Sequence, residues 1–232
     1  MIIRSIAFGA IAAVLLCGAA NAAQFVVVEA RGIGMKPGTV LDPSKPLSLK
    51  QGQHVTLISD SGVTLKLDGP YEKAPSVAGG KGVDLASTLS GLVTERQARL
   101  NEVGTTRGKN AVKLPDAWVL DSSHGGTVCL LEGQAPVFWR PDGGPAIHFA
   151  VMPADRSWRA DATWPAGTNR IAVSTPVELH GDAAYFLSYN GTEEAITIST
   201  IPASLPNDRM RAAWMAEKGC EAQAEALVRT GS

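Results

Sequence analysis

The sequence predicts a mainly β fold: a small N-terminal β module, then an antiparallel, immunoglobulin-like β-sandwich, with a mid-chain helix and a docked C-terminal helix. Two observations carry this. Short stretches that alternate apolar and polar residues, or are rich in β-branched ones, recur along the chain with turn residues between them. The 24 glycines and 14 prolines among 232 residues supply many turns. The period becomes helical in two places, over residues 84–103 and beyond residue 204.

Residues 1–22, "MIIRSIAFGAIAAVLLCGAANA", begin with one positive charge at Arg4, continue with an apolar run from Ile6 to Leu16, and end in Ala20-Asn21-Ala22. Those are the three parts of a secretory signal peptide, with cleavage expected after Ala22. The run is shorter than the ~20 apolar residues that span a bilayer. Cys17 offers a rival, lipoprotein cleavage before a lipid-bearing cysteine, but Leu16 is too large for the small residue that belongs there. Cleavage removes one positive charge from a formal net of −1, leaving about −2. No basic stripe for nucleic acid or an anionic membrane is expected. No later stretch is apolar enough to span a membrane, so the mature chain reads as periplasmic or secreted.

The module at 23–71 opens with "QFVVVEARGIGMKPG". Its glycines resemble a dinucleotide fingerprint, but the third falls one residue late, and Pro37 stands where the helix would run. A turn between strands is the better reading, and no cofactor is expected. "PLSLK", "HVTLI" and "VTLKLD" follow as strands, the last two joined by a turn at Asp60-Ser61-Gly62. Four short strands form a thin core that needs help from the rest of the chain. The stretch "VVEARGIGMKPGTVLDPSKPLSLKQGQHVTLISDSGVTLKLDGP" resembles the layout of FecR-type periplasmic domains, a strand, a glycine turn and two further strands. That resemblance covers about a fifth of the chain and implies a periplasmic β module in signalling or envelope assembly. "GQHVTLISDSGVTLKLDGPY" and "AAWMAEKGCEAQAEAL" are similar to a group of uncharacterised secreted bacterial proteins, which implies no activity.

Residues 72–113 read as a glycine-rich loop, a helix and a linker. Gly79-Gly80-Lys81 lacks the first glycine and the Ser/Thr of a phosphate loop. Leu85, Leu89, Leu92, Leu100 and Val103 make one helical stripe, capped by Asp84 and stopped by Gly104.

Residues 114–203 carry the sandwich: "AWVLD", "TVCLLEG", "PVFWR", "AIHFAVM", "RIAVSTPVEL", "AYFLSYNG" and "AITISTI". About seven evenly spaced strands fit that architecture. Residues 204–232 form the terminal helix, with Asn207 or Asp208 as cap and Gly219 costing about 1 kcal/mol relative to alanine.

Chemistry is sparse. "SHGGTVC" places His124 near Cys129, and its H-G-G resembles an esterase oxyanion loop, but no G-x-S-x-G elbow accompanies it. A Cys129–His124 dyad competes with a disulfide between Cys129 and Cys220, the two cysteines left after cleavage, which an exported chain most simply joins. The four histidines lack metal-ligand spacing, so no metal site is expected. Glu193-Glu194 reads as a solvated turn. Trp118, Trp139, Trp158 and Trp164 fall within 47 residues. Trp158 and Trp164 flank the loop-like "RADAT", with Arg156 and Arg159 beside them, and form a candidate binding surface for an envelope protein or glycan. The alternative places these tryptophans in the core. The function expected is non-enzymatic binding or scaffolding in the cell envelope, with signalling as one such role; a secreted hydrolase, or an envelope-glycan-binding module using exposed Trp, is the alternative.

Overall fold

The computed structural model describes residues 24–77, 113–173, 177–189 and 191–231. The expected signal peptide and the expected helix at 84–103 lie outside them.

Alternation of side chains along a strand determines how the N-terminal module is built. Strands β1 (Phe25–Arg31), β2 (Val40–Leu41), β4 (His54–Ser59) and β5 (Thr64–Asp68) form an antiparallel sheet in the order β2-β1-β4-β5, while β3 (Leu47–Leu49) pairs with β6 (Tyr71–Lys73). Phe25, Val27, Val55, Leu57 and Leu67 bury one face of the sheet with Leu47 and Leu49 of the ribbon. Val26, Val28 and Ile58 bury the opposite face elsewhere, against the C-terminal helices. The glycines after β1 serve turns, as Gly32 and Gly38 both have positive φ, and no helix follows.

The second β region is β7 (Leu120–Asp121), β8 (Gly126–Leu131), β9 (Val137–Trp139), β10 (Ile147–Pro153), β11 (Ala160–Trp164), β12 (Arg170–Ala172), β13 (Ala184–Tyr189) and β14 (Thr192–Ile201). They make a five-stranded sheet, β11-β10-β13-β14-β8, and a three-stranded one, β12-β9-β7. The pairings are antiparallel except β14 with β8 and β7 with β9, which are parallel. Phe138, Phe149, Trp164, Leu187, Ile196 and Ile198 share one core. Phe149 stands edge-on to Trp164 with centroids 5.4 Å apart, the geometry that ring quadrupoles favour.

Two expectations are corrected here. "RADAT" is no loop, because residues 160–163 belong to β11, paired with β10 from Ile147↔Trp164 to Val151↔Ala160. Trp164, at the end of that strand, therefore points into the core with no exposure and is not a partner-binding residue. Its indole N–H donates to the Thr168 carbonyl.

Arg140 is also buried, at 1 % exposure. Its guanidinium lies 5.2 Å from the Trp164 ring centroid and donates to the carbonyls of Thr168, Pro145, Gly144 and Pro165. A buried charge is tolerable only when its donors are met. These carbonyls meet them, and the arginine ties two turns together.

The chain ends in two helices where one was expected: α1 (Asp208–Lys218) and α2 (Glu221–Thr230). Asn207 caps α1 by accepting from the Met210 N–H. Gly219, at φ 88°, stops it: its N–H donates to the Ala216 carbonyl and the Cys220 N–H to Met215. That pair of bonds is the Schellman stop, which needs a left-handed residue. The glycine thus terminates a helix rather than weakening one. Met210, Ala213, Trp214 and Met215 of α1, with Ala224 and Leu227 of α2, share a core with Val26, Val28 and Ile58 of the first sheet and with Cys129, Trp139 and Ile201 of the second region. Lys66 of β5 pairs with Glu217 at 3.4 Å, and the Asn207 side-chain amide donates to the Asp60 carbonyl. The helices thereby join both β regions. No described helix is long and apolar enough to cross a membrane.

Candidate functional site

Cys129 and Cys220 are joined, with their Cα atoms 5.8 Å apart. Both are buried. The sulfur that a Cys129–His124 dyad would use is therefore occupied. His124 instead turns Nδ1 toward Asp121 Oδ2 at 3.0 Å and toward the Ser123 hydroxyl at 3.0 Å. Ser123 in turn donates to the other Asp121 oxygen at 2.6 Å, which closes a local turn among the three residues. Among the described residues no group of three or more His, Cys, Asp or Glu side chains could hold a metal ion.

The connection between β10 and β11 presents the other candidates. Asp155 Oδ1 accepts from the Ser157 N–H at 3.0 Å, and the Arg156 N–H donates to the Pro153 carbonyl. The Ser157 backbone bond, followed by one from the Ser157 side chain, holds the Asp155 carboxyl below the usual carboxylate range. This tight turn accepts Arg156 at φ 56°, a left-handed conformation uncommon for side chains with a Cβ. It aims the Arg156 guanidinium over the Phe186 ring at 5.5 Å and onto Glu193 at 3.1 Å. Glu193, expected in a solvated turn, is thus a strand residue with an ion-pair partner. Trp158 is 38 % exposed and leans on Tyr185, centroids 6.1 Å apart. Arg159 pairs with Asp161 at 2.8 Å, and His148 reaches the same carboxylate at 3.0 Å from β10. The structure brings Trp158, Arg156 and Arg159 to one turn and leaves Trp164 behind in the core.

Residue-by-residue reading missed a cleft at one end of the sandwich. The β8–β9 turn at 132–136 forms one wall and residues 172–173 and 177–181 line the other, around about 520 Å³. Leu130, Leu131, Pro136, Val173, Val177 and Leu179 make it mainly apolar. A second hollow of about 280 Å³ adjoins it, lined by Glu132, Asp182, Trp214 and Lys218, and both share Glu132, Gly181 and Thr200. Gly181 packs so closely against Thr200 that a Cβ there would meet the Thr200 hydroxyl at 2.3 Å. Tyr185 connects the cleft to the exposed tryptophan: its ring supports Trp158, and its hydroxyl accepts from the backbone N–H of His180, a cleft residue. No short sequence pattern could reveal this site, because its walls come from segments about 40 residues apart.

Comparison with known proteins finds no matching family model and no matching solved structure. A curated match is the small ribosomal subunit protein uS8c of Phalaenopsis aphrodite subsp. formosana, 33 % identical over 55 residues. That stretch is 24 % of this chain and 42 % of the ribosomal protein, so the chain spans less than half the length of the relative it matches.

Proposed function

We propose that the protein is exported, is cleaved after Ala22, and serves in the cell envelope as a non-enzymatic binding component whose contact residue is Trp158 and whose partner is another envelope protein. The observation that carries this is the exposed Trp158 ring, held by Tyr185 beneath it on a turn that the Asp155–Ser157 bond tightens. An aromatic ring fixed in advance offers contact area at little entropic cost on binding, which is how interface tryptophans come to dominate affinity. Arg156 and Arg159 flank it, each held by a carboxylate. Export is supported by the leader at 1–22 and by the Cys129–Cys220 bond, a linkage that persists in oxidising compartments.

The test is site-specific photo-crosslinking in the intact producing cell. A crosslinker in place of Trp158 should trap a discrete envelope protein, while one in place of exposed Glu225 on α2 should not. Equal trapping at both positions would remove the reading. Retention on isolated envelope glycan that is lost in Trp158→Ala would replace the protein partner with a sugar. Sequencing the mature chain should give Ala23 first, and acylation at Cys17 would refute a freely soluble product.

A further inference from the structure

The cleft and its neighbouring hollow share Glu132, Gly181 and Thr200 in their linings and differ in chemistry. The larger part is walled by aliphatic side chains, and its volume falls within the roughly 300–1,000 Å³ typical of small-molecule sites. The smaller part mixes Glu132, Asp182, Ser199 and Lys218 with Pro37, Pro202 and Trp214, and Glu132 lines both. Three carboxylates line the two parts, Glu132, Glu178 and Asp182, against a single ammonium, Lys218, with His180 close by. Lys218 lies over the Trp214 ring at 5.4 Å, so part of its charge is already engaged by the indole. Glu132 accepts from the Ala203 N–H, which fixes one oxygen and leaves its second lone-pair face for a ligand. Gly181 lines both parts, and Asp182, which follows it at φ 59°, lines the smaller one.

We propose that the two parts together bind an elongated cationic amphiphile, with its apolar stem in the larger part and its cationic head beside Glu132 and Asp182. The charge balance selects a cation over an anion, and the apolar walls require a stem that gains by leaving water. The site does not depend on Trp158 binding a partner.

The test is calorimetry with three decyl compounds below their micelle concentrations: decyltrimethylammonium, decyl sulfate and decyl maltoside. The cation should bind tightest and the sulfate weakest. The double variant Glu132→Gln, Asp182→Asn should lose about tenfold in affinity for the cation while the maltoside is unchanged. Both substitutions suit the fold, since Gln keeps an acceptor for Ala203 and Asn tolerates positive φ. Val177→Lys should weaken the cation and the maltoside together, and Trp158→Ala should alter neither. Equal affinity for cation and sulfate, or an unchanged double variant, overturns the proposal. A peptide alternating Lys and Val that binds more tightly than decyltrimethylammonium overturns it in favour of an extended segment added along β12. Melting temperatures with and without each compound distinguish binding from denaturation.

Discussion

The side-chain amide of Gln223 pairs with both backbone groups of Cys129: its Oε1 accepts the Cys129 N–H at 2.6 Å, and its Nε2 donates to the Cys129 carbonyl at 2.8 Å. A helix residue thus gives the edge strand β8 the bonds a neighbouring strand would supply, three residues from the cysteine that ties the same two elements together. Nε2 also reaches the Ala117 carbonyl at 2.9 Å. Burial of the glutamine at 3 % exposure makes each bond hard to replace with water.

Gln223→Leu keeps the volume and orphans these groups. Expected is a loss of about 2–4 kcal/mol, because each buried unsatisfied backbone group costs about 1–3. Urea unfolding under oxidising conditions measures it, and a change below about 0.5 kcal/mol would show that water reaches this edge.

The disulfide closes a loop with a sequence separation of 91. The chain-entropy relation gives about 4–5 kcal/mol for a loop of that length. Cys129→Ala with Cys220→Ala should lose most of that in denaturant titrations. Burial of both sulfurs predicts that reductant alone leaves the native bond intact, and that alkylation of two thiols appears by intact mass only once denaturant is added.

Trp158 and Trp164 should separate by stability. Trp164→Ala empties a buried site and is expected to cost about 3–5 kcal/mol. Trp158→Ala, at a partly exposed ring, should stay within about 1 kcal/mol. Thermal melts decide, and similar losses at both would place Trp158 in the core.

Arg140→Met removes four hydrogen bonds and leaves the Pro145 carbonyl without its donor, while the Thr168, Gly144 and Pro165 carbonyls each keep one, so it should cost about 1–3 kcal/mol. Arg140→Lys cannot reach all four from one ammonium and should recover only part of the loss, read by the same melts.

Acid should loosen the turn that presents Trp158. The Asp155 carboxyl titrates below its unfolded value when folded, so its contribution is complete above the unfolded value and is lost as pH falls through the folded one. The protection of the Ser157 amide, measured against the intrinsic exchange rate at each pH, should fall across that acidic window, and Asp155→Ala should remove that change in protection.

Local signals carried much of this architecture. The β4–β5 hairpin was legible because Val55, Leu57, Leu65 and Leu67 alternate around a Ser-Gly turn. The disulfide followed from counting the cysteines beyond residue 22. β11 was hidden because "ADAT" lacks the β-branched, alternating pattern, and its strand character comes from pairing with β10. The break at Gly219 was misread because a glycine that costs energy within a helix is favoured just past its end. Gln223 acts on backbone groups about a hundred residues away, and Arg140 joins the turn that follows it to carbonyls at Pro165 and Thr168, so nothing beside them announces the role. The cleft emerges only when separate turns meet.

The helix pair shares its core with Val26, Val28 and Ile58. A chain delivered amino end first, by synthesis or by threading through a pore, cannot cover that face of its first sheet until residues 210–227 have arrived. Contacts spanning so much sequence close late and slowly. The apolar face of β1 that carries Val26 and Val28 therefore lacks its final cover until those last residues have arrived.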